Sequence, residues 1–363
     1  MIFVVNAGSS SIRIGIFADN LTRILNGSVS GISGSAILKL GNDSSAITAR
    51  DHNEALDALL DGIEGSGHSL SDLVAAGHRI VHGGADLTKP TRLTPDVMHQ
   101  IQTCVPLAPL HNPHNIDAIR VLADRLPGLP QFGSFDTAFH ANNPKVATEF
   151  ALPADIRAMG LRRYGFHGLS YASMVEQFGH GLPQRLLALH LGNGASLCAI
   201  LEGQSVATSM GYSPLDGLTM GTRCGAIDGM AVLRMASKFG AEDTDSLLNN
   251  DSGLRGLAGT NDMAELLARE DDDARFAIEH FCYWAARHAG SAVVAMGGLD
   301  AVAFTGGIGE NAPEIRDRIM HHLSFLGPVP VHVVKADEES QIARDTLRLV
   351  ELQEPVGGNS FTV

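Results

Sequence analysis

Apolar positions along this chain come in short runs cut by small polar residues. Two stretches share the pattern most fully, IFVVNAGSSSIRIGIF at 2–17 and LLALHLGNGASLCAIL at 186–201. An apolar strand, a tight loop of Gly and small polar residues and a second apolar strand make a β-hairpin. The two lie roughly 185 residues apart, about half the chain and far beyond a solenoid period, which leaves a duplicated domain or a coincidence of two ordinary hairpins. Between them, strand-like Leu73 to Val81 alternates with helical Asn53 to Ile63 and Asn115 to Leu126, the mark of an α/β architecture. Asp271 to Met296 predicts a long helix, opened by Asp271, Asp272 and Asp273 where the helix dipole favours negative charge. The strand Ala301 to Thr305 then runs into GGIGEN and a helix entered at Pro313, a favoured first helical position. A strand-like VPVHVV and a final helix, about 337–349, follow.

Length and composition sharpen this picture. A chain of 363 residues that is 44% apolar exceeds one ordinary hydrophobic core, so two domains are expected. Its apolar runs fall far short of the ~20 residues that span a bilayer, and no charged leader precedes a signal-type block. A cytoplasmic protein without membrane partners is the expectation. Cys104, Cys198, Cys224 and Cys282 form no CxxC pair, which argues for reduced thiols and against a disulfide framework or zinc knuckle. A formal charge of -14 works against nucleic-acid binding, so a few local arginines must hold any anionic ligand.

Loops at Asn6 to Ser11 and Gly192 to Ser196 offer unobstructed backbone N–H groups with hydroxyls and amides that can bond phosphate oxygens. One such loop says little, because Gly and Ser fill turns everywhere. Two, on matched hairpins, point to a nucleotide clamped between domains. No lysine follows a glycine, so GxxxxGK[ST] is absent; HRD and DFG are absent too, which removes a protein kinase. Gly307-Ile-Gly309-Glu-Asn-Ala312 fits G-x-G-x-x-A and keeps a nicotinamide-dependent oxidoreductase open, although its acidic partner about 20 residues on is missing. The 16 histidines suggest a metal, but His78 and His82 lie on a strand-like segment without a Cys/His cluster and are assigned none.

Eight segments in fixed order carry a resemblance: NAGSSS at 6–11, GHRIVHGG at 77–84, APLHNP at 108–113, FDTAFH at 135–140, YGFHG at 164–168, HLGNG at 190–194, MGTR at 220–223 and FTGGIGEN at 304–311. Along almost its whole length the sequence resembles the acetate kinases. The resemblance implies the fold of acetate and sugar kinases, Hsp70 and actin: two ribonuclease-H-like α/β domains with the nucleotide in the cleft. It places an N-terminal domain at 1–140, completed by a C-terminal helix at 340–363, and a nucleotide-binding domain at 141–339. It also implies a homodimer, an ATP–Mg²⁺ cofactor and transfer of the ATP γ-phosphoryl group to acetate or another short carboxylate.

A carboxylate acceptor is already ionised at neutral pH, so the chemistry needs charge management and positioning more than a base. The planar fork of arginine suits both reactants, and the resemblance gives that role to Arg79 and Arg223. His167 would donate a hydrogen bond to the phosphoryl oxygens in flight, with His111 and His190 near the same anionic cleft. Asp136 would orient an arginine or a metal-bound water. Glu338, with Asn6, would hold Mg²⁺, which prefers oxygen ligands and keeps several waters. Asn6, Ser9 and Ser11 would contact the terminal phosphate or its metal. Gly192, Asn193 and Gly194 would hold the β/γ end; Gly307, Ile308 and Gly309, with Asp262, would pack against the adenosine, and Arg13, His190 and Asn311 complete the expected nucleotide contacts. Val81, Leu110, Phe166 and Pro214 would form the wall for the acetate methyl.

Four positions depart from the family pattern. Arg13 stands for lysine, Ala264 for an arginine two residues after Asp262, Tyr171 for a histidine just after YGFHG, and Gly229 for a proline. None removes a proposed catalytic group. A propionate kinase has nearly the same motifs, and one methylene in an apolar pocket is worth only about 1 to 3 kcal/mol. A non-catalytic ATP-binding regulator on this scaffold is the alternative of another class.

Overall fold

Both hairpins form. The computed structural model describes residues 1–353 and divides into two units, Met1–Ala138 with the described residues from Asp337 onward, and Phe139–Ala336. The first unit carries β1 (Ile2–Ala7), β2 (Ser11–Phe17), β3 (Arg23–Ser30), β4 (Ala36–Leu40), β5 (Asp43–Ile47), β6 (Ala75–Ile80), β7 (Thr91–Arg92) and β8 (Gln131–Phe135). They order as β5-β4-β3-β2-β1-β6-β8-β7. Strands β1 to β5 pair antiparallel in succession, β6 and β8 add parallel beyond β1, and β7 lies antiparallel on β8.

Strand β1 is buried at every position, as a central strand covered on both faces must be. Because successive side chains alternate between faces, Phe3, Val5 and Ala76 join one cluster with Leu56 and Leu59 of the helix His52–Gly65 and Leu122 of the helix Asn112–Arg125. Truncating a buried aromatic such as Phe3 to Ala costs about 3 to 5 kcal/mol. The helix Glu338–Gln353 packs on β1, β6 and β8. Gly77 admits it, since a Cβ there would lie 2.2 Å from Thr346 Oγ1. Asn6 and Arg79 share the parity that faces this helix. Residues 354–363, which the expected segment 340–363 includes, lie outside the described residues.

The second unit carries β9 (Arg185–Leu191), β10 (Ala195–Leu201), β11 (Gln204–Thr208), β12 (Ala301–Thr305) and β13 (Val331–Val333), ordered β11-β10-β9-β12-β13. Three strands run antiparallel and two more add parallel, as in β3-β2-β1-β6-β8. Shared strand order, and not only shared hairpins, makes duplication the reading. It also removes the dinucleotide alternative, whose sheet is mostly parallel. The long helix is Asp272–Met296, capped by Asp271, whose carboxylate accepts from the Ala274 N–H at 3.0 Å. It packs on β9, β10 and β11. GGIGEN is itself a short helix, Gly306–Asn311, because Glu310 folds back to accept from the Gly306 N–H at its start. Among the described residues no helix is long and apolar enough to cross a membrane.

Candidate active site

In the first unit, Arg79 leaves the end of β6 and Asp136 follows β8, so the parallel pairing of β6 with β8 brings them together. Arg79 Nη2 lies 2.6 Å from Asp136 Oδ2, and its Nε lies 3.1 Å from each carboxylate oxygen. Its Nη1 donates to Asn6 Oδ1 at 3.1 Å and stands 3.8 Å from Glu338 Oε2. Burial works against charge on Arg79, but Asp136 and then Glu338 outweigh it and raise the guanidinium above its ordinary value. Burial likewise pushes the Asp136 carboxyl up while Arg79 pulls it back, and the two-pronged contact favours the ion pair. Asn6 Nδ2 faces Glu338 and Glu339 at 3.4 and 3.5 Å.

In the second unit, the YGFHG segment turns sharply. A Cβ on Gly165, at φ +79°, would lie 2.7 Å from His140, and His167 itself takes the left-handed region at φ 59°. Left-handed backbone at a non-glycine residue is a strain that clusters at functional sites. The turn delivers His167 to the start of the helix Gly168–Phe178, where its Nδ1 meets Ser196 Oγ at 2.9 Å. The His190 ring stacks on it at 4.3 Å, held by Ser170 Oγ at 2.8 Å. A Cβ placed on Gly194 would lie 3.0 Å from Arg223 Nη2 and 3.2 Å from His167 Nε2, so both groups converge over that glycine. Arg223 Nη1 donates to the Pro214 carbonyl at 2.7 Å. No carboxylate pairs with Arg223 among the described residues, and burial pulls it down to about 10. A positive group so placed, beside a histidine and bare backbone, suits an anion.

These two clusters account for Asn6, Arg79, Asp136, Glu338, His167, His190, Gly194 and Arg223. Asn193 lies on the same loop as Gly194; its carbonyl accepts from the Gly221 N–H of MGTR at 3.0 Å and its Oδ1 from Asn261 at 3.0 Å. Ser9 and Arg13 are exposed and Ser11 half-buried on the first hairpin. Asp262 is the N-cap of the helix Met263–Leu267 and accepts from the Ala264 N–H at 2.8 Å. Gly307, Ile308, Gly309 and Asn311 all lie in the short helix, where Asn311 Nδ2 donates to the Gly307 carbonyl. Val81 and Phe166 are buried, whereas Leu110 is 46% exposed. Val81 and Leu110 belong to the first unit, Phe166 and Pro214 to the second. His111 is half-buried ahead of the helix Asn112–Arg125. Ser196, expected to offer its hydroxyl to phosphate from the loop Gly192 to Ser196, is instead fully buried in β10 and bonded to His167 and Tyr171; Ser170, Asn261 and Glu310 position the other groups and read in the sequence as ordinary helix or loop residues.

Residues 1–348 match the model of the acetokinase family. The chain belongs to that family. An acetate kinase of Rhodopseudomonas palustris is 40% identical over 97% of this chain and 98% of its own. Among solved structures, a propionate kinase from Francisella tularensis superposes with a TM-score of 0.90 at 34% identity, covering 96% of this chain and 99% of that one. The acetate kinase of Porphyromonas gingivalis gives 0.87 at 31% identity, with coverages of 96% and 99%. As an acetokinase family member, the chain takes the fold expected from its motifs, and its two mixed sheets agree.

Proposed function

We propose that this protein is an acetate kinase that reversibly transfers the γ-phosphoryl group of ATP to acetate, giving acetyl phosphate and ADP. The observation that carries the reading is the convergence of Arg223 and His167 Nε2 over Gly194, with no carboxylate pairing to that arginine among the described residues. A carboxylate oxygen of acetate forms a bond to the γ-phosphorus in line with the bond to the bridging oxygen, which breaks and leaves its electron pair on ADP. No proton is needed to balance this step. Arg223 and Arg79 pair with carboxylate or phosphoryl oxygens, and His167 donates a hydrogen bond to the oxygens in flight. Asp136 holds Arg79 in place beforehand, so the fork needs no reorganisation during the reaction.

Glu338 fits a Mg²⁺ site: it offers carboxylate oxygen beside Glu339, whereas Asn6 Oδ1 is already engaged by Arg79. When bound, Mg²⁺ would neutralise phosphate charge, with waters and phosphate oxygens completing its shell. Residues 141–339 are assigned to nucleotide binding, through Gly192–Gly194, Asp262 and Gly307–Asn311, and 1–140 with 340 onward to the other domain. Met230 at 70% and Leu233 at 62% exposed, one turn apart on the helix Gly229–Phe239, which buries no residue, support a homodimer. Four free cysteines support a cytoplasmic setting.

The high-similarity propionate kinase structure favours propionate as the second reading. A hydroxamate assay of acyl phosphate formed from Mg-ATP with acetate, propionate and butyrate tests both. Acetate should give the highest kcat/KM; preference for propionate would transfer the reading to that substrate, and no acyl phosphate from any of the three would sink it. Mg-ATP should bind and NADH should not.

A further inference from the structure

We infer that Tyr171, acting through Ser196, is a positioning residue that fixes His167 as a neutral imidazole carrying its proton on Nε2. The role of His167 is taken from the acetate kinase reading, on which this inference rests. Tyr171 and Ser196 are both 0% exposed. The Tyr171 hydroxyl and Ser196 Oγ are hydrogen-bonded, and Ser196 Oγ lies 2.9 Å from His167 Nδ1. Three groups in line therefore share two hydroxyl protons and one imidazole proton.

The direction of the chain follows from counting them. Burial pushes the Tyr171 phenol well above its ordinary value, so it keeps its proton. The hydroxyl's hydrogen-bond partner among the described residues is Ser196 Oγ, which therefore accepts the tyrosine proton. Ser196 must then pass its own proton to its other partner, His167 Nδ1. An Nδ1 that accepts puts the ring proton on Nε2, the nitrogen that converges with Arg223 over Gly194. Were Ser196 instead to accept from both neighbours, as an imidazolium or an Nδ1–H tautomer requires, its own buried proton would be stranded. A stranded buried donor costs about 1 to 3 kcal/mol.

Tyr171 stands where the family pattern has histidine. A histidine at that place can give or accept according to tautomer, whereas a buried phenol has one proton and keeps it, so the substitution makes the relay one-way. Ser170, one residue earlier on the same helical turn, holds His190, whose ring stacks on His167. One turn of helix thus anchors both histidines.

The test is the tautomer itself, read from long-range ¹H–¹⁵N spectra of ¹⁵N-histidine-labelled full-length protein at pH 7, with His167 assigned by its loss in His167→Gln. The Nε2–H pattern is expected in the wild type. Tyr171→Phe, which deletes the hydroxyl and keeps the ring, should populate the Nδ1–H form and lower kcat about tenfold, the low end of the loss when the outer partner of a metal-bound histidine is removed. KM for acetate and for Mg-ATP should stay within about twofold, since the relay acts on the donor in flight and not on binding. Should Tyr171→Phe fail to fold, Ser196→Ala removes the middle hydroxyl and reads the same change. An Nδ1–H or doubly protonated His167 in the wild type, or a variant that keeps the wild-type tautomer, overturns the relay. Absence of kinase turnover in the wild type would instead count against the acetate kinase reading, and the spectrum would still decide the relay.

Discussion

Arg79 holds Asp136 through two nitrogens, with Nη2 2.6 Å from Oδ2 and Nε 3.1 Å from both oxygens, while its remaining nitrogen reaches Asn6. Its fork is thus fixed by groups drawn from the ends of β1, β6 and β8. Arg223 differs: a backbone carbonyl fixes one nitrogen and no carboxylate opposes its charge among the described residues. The carboxylates that orient Arg79 also hold its charge, whereas burial works against the charge of Arg223 with no carboxylate to offset it among the described residues.

Asp136→Asn keeps the shape of the pair and deletes its negative charge. Because Asp136 is buried and its partner is held mostly away from solvent, the uncompensated guanidinium should cost about 3 to 5 kcal/mol of stability. Urea unfolding at neutral pH measures it; a loss below about 1 kcal/mol would mean that Glu338 alone compensates Arg79.

Replacing Arg79 or Arg223 by Ala should cut turnover by about 10³ to 10⁵, the range for an arginine that stabilises a transferring phosphoryl group. Lysine should restore only part, having charge without the planar fork. The measurement is turnover at saturating acetate and Mg-ATP on variants that melt and elute as folded protein. If both Ala variants kept more than about a tenth of wild-type turnover, neither arginine would be catalytic.

Val81 is buried at the end of the β6 segment, its N–H bonded to Asn115 Oδ1. Val81→Ala should shift preference toward propionate about tenfold, if the added space is worth about 1.4 kcal/mol. An unchanged ratio of kcat/KM values would remove Val81 from the acyl pocket.

His140 is buried, with Nε2 2.9 Å from the Phe166 carbonyl and Nδ1 2.8 Å from Ser205 Oγ, and burial pulls it down to about 4. Its folded value lies below the ~6.5 of an unfolded histidine, so the unfolded chain takes up the proton first as pH falls. Its contribution is whole above pH 6.5 and erodes toward pH 4, by about 3 kcal/mol across that window. His78, bonded to Gln131 and also lowered to about 4, adds a slope of the same sign. Unfolding free energies at several pH values between 4 and 7 should therefore fall more steeply in the wild type than in His140→Gln; equal slopes would mean that His140 is protonated in the fold.

The local signals read well. Hairpins separated by small residues, the long helix opened by acidic residues and the strand ahead of GGIGEN are each specified by neighbours in sequence, and each is found, with Asp271 serving as the helix's N-cap and not as its first residue. Strands β3 to β5 carry mixed, half-exposed residues, such as the exposed Asp43 to Ala46, and no periodicity announces them. Strand order was invisible for a different reason: the pairing of β1 with β6 and of β6 with β8 is settled by packing between distant segments. The same divide runs through the site. Motif blocks located Arg79, Asp136, His167 and Arg223 one by one, but that Arg79 spans Asp136 and Asn6, or that His167 leans on Ser196, depends on strand register. Tyr171 departs from the family pattern, and its hydroxyl gains meaning from its contact with the buried Ser196, which strand register and not neighbouring sequence brings to it.

The first unit is discontinuous: the chain leaves it after Ala138 and re-enters at Asp337. During synthesis, β1, β6 and β8 emerge early, with one face lacking the helix that begins at Glu338. The second unit is contiguous, so the whole of its chain is synthesised before the helix that covers that face. Glu338 arrives on the element that covers the face, which joins the final step of assembly to the completion of the Arg79 cluster. A chain stalled before that helix would hold Arg79 and Asp136 over an uncovered apolar surface, the kind of species that chaperones retain.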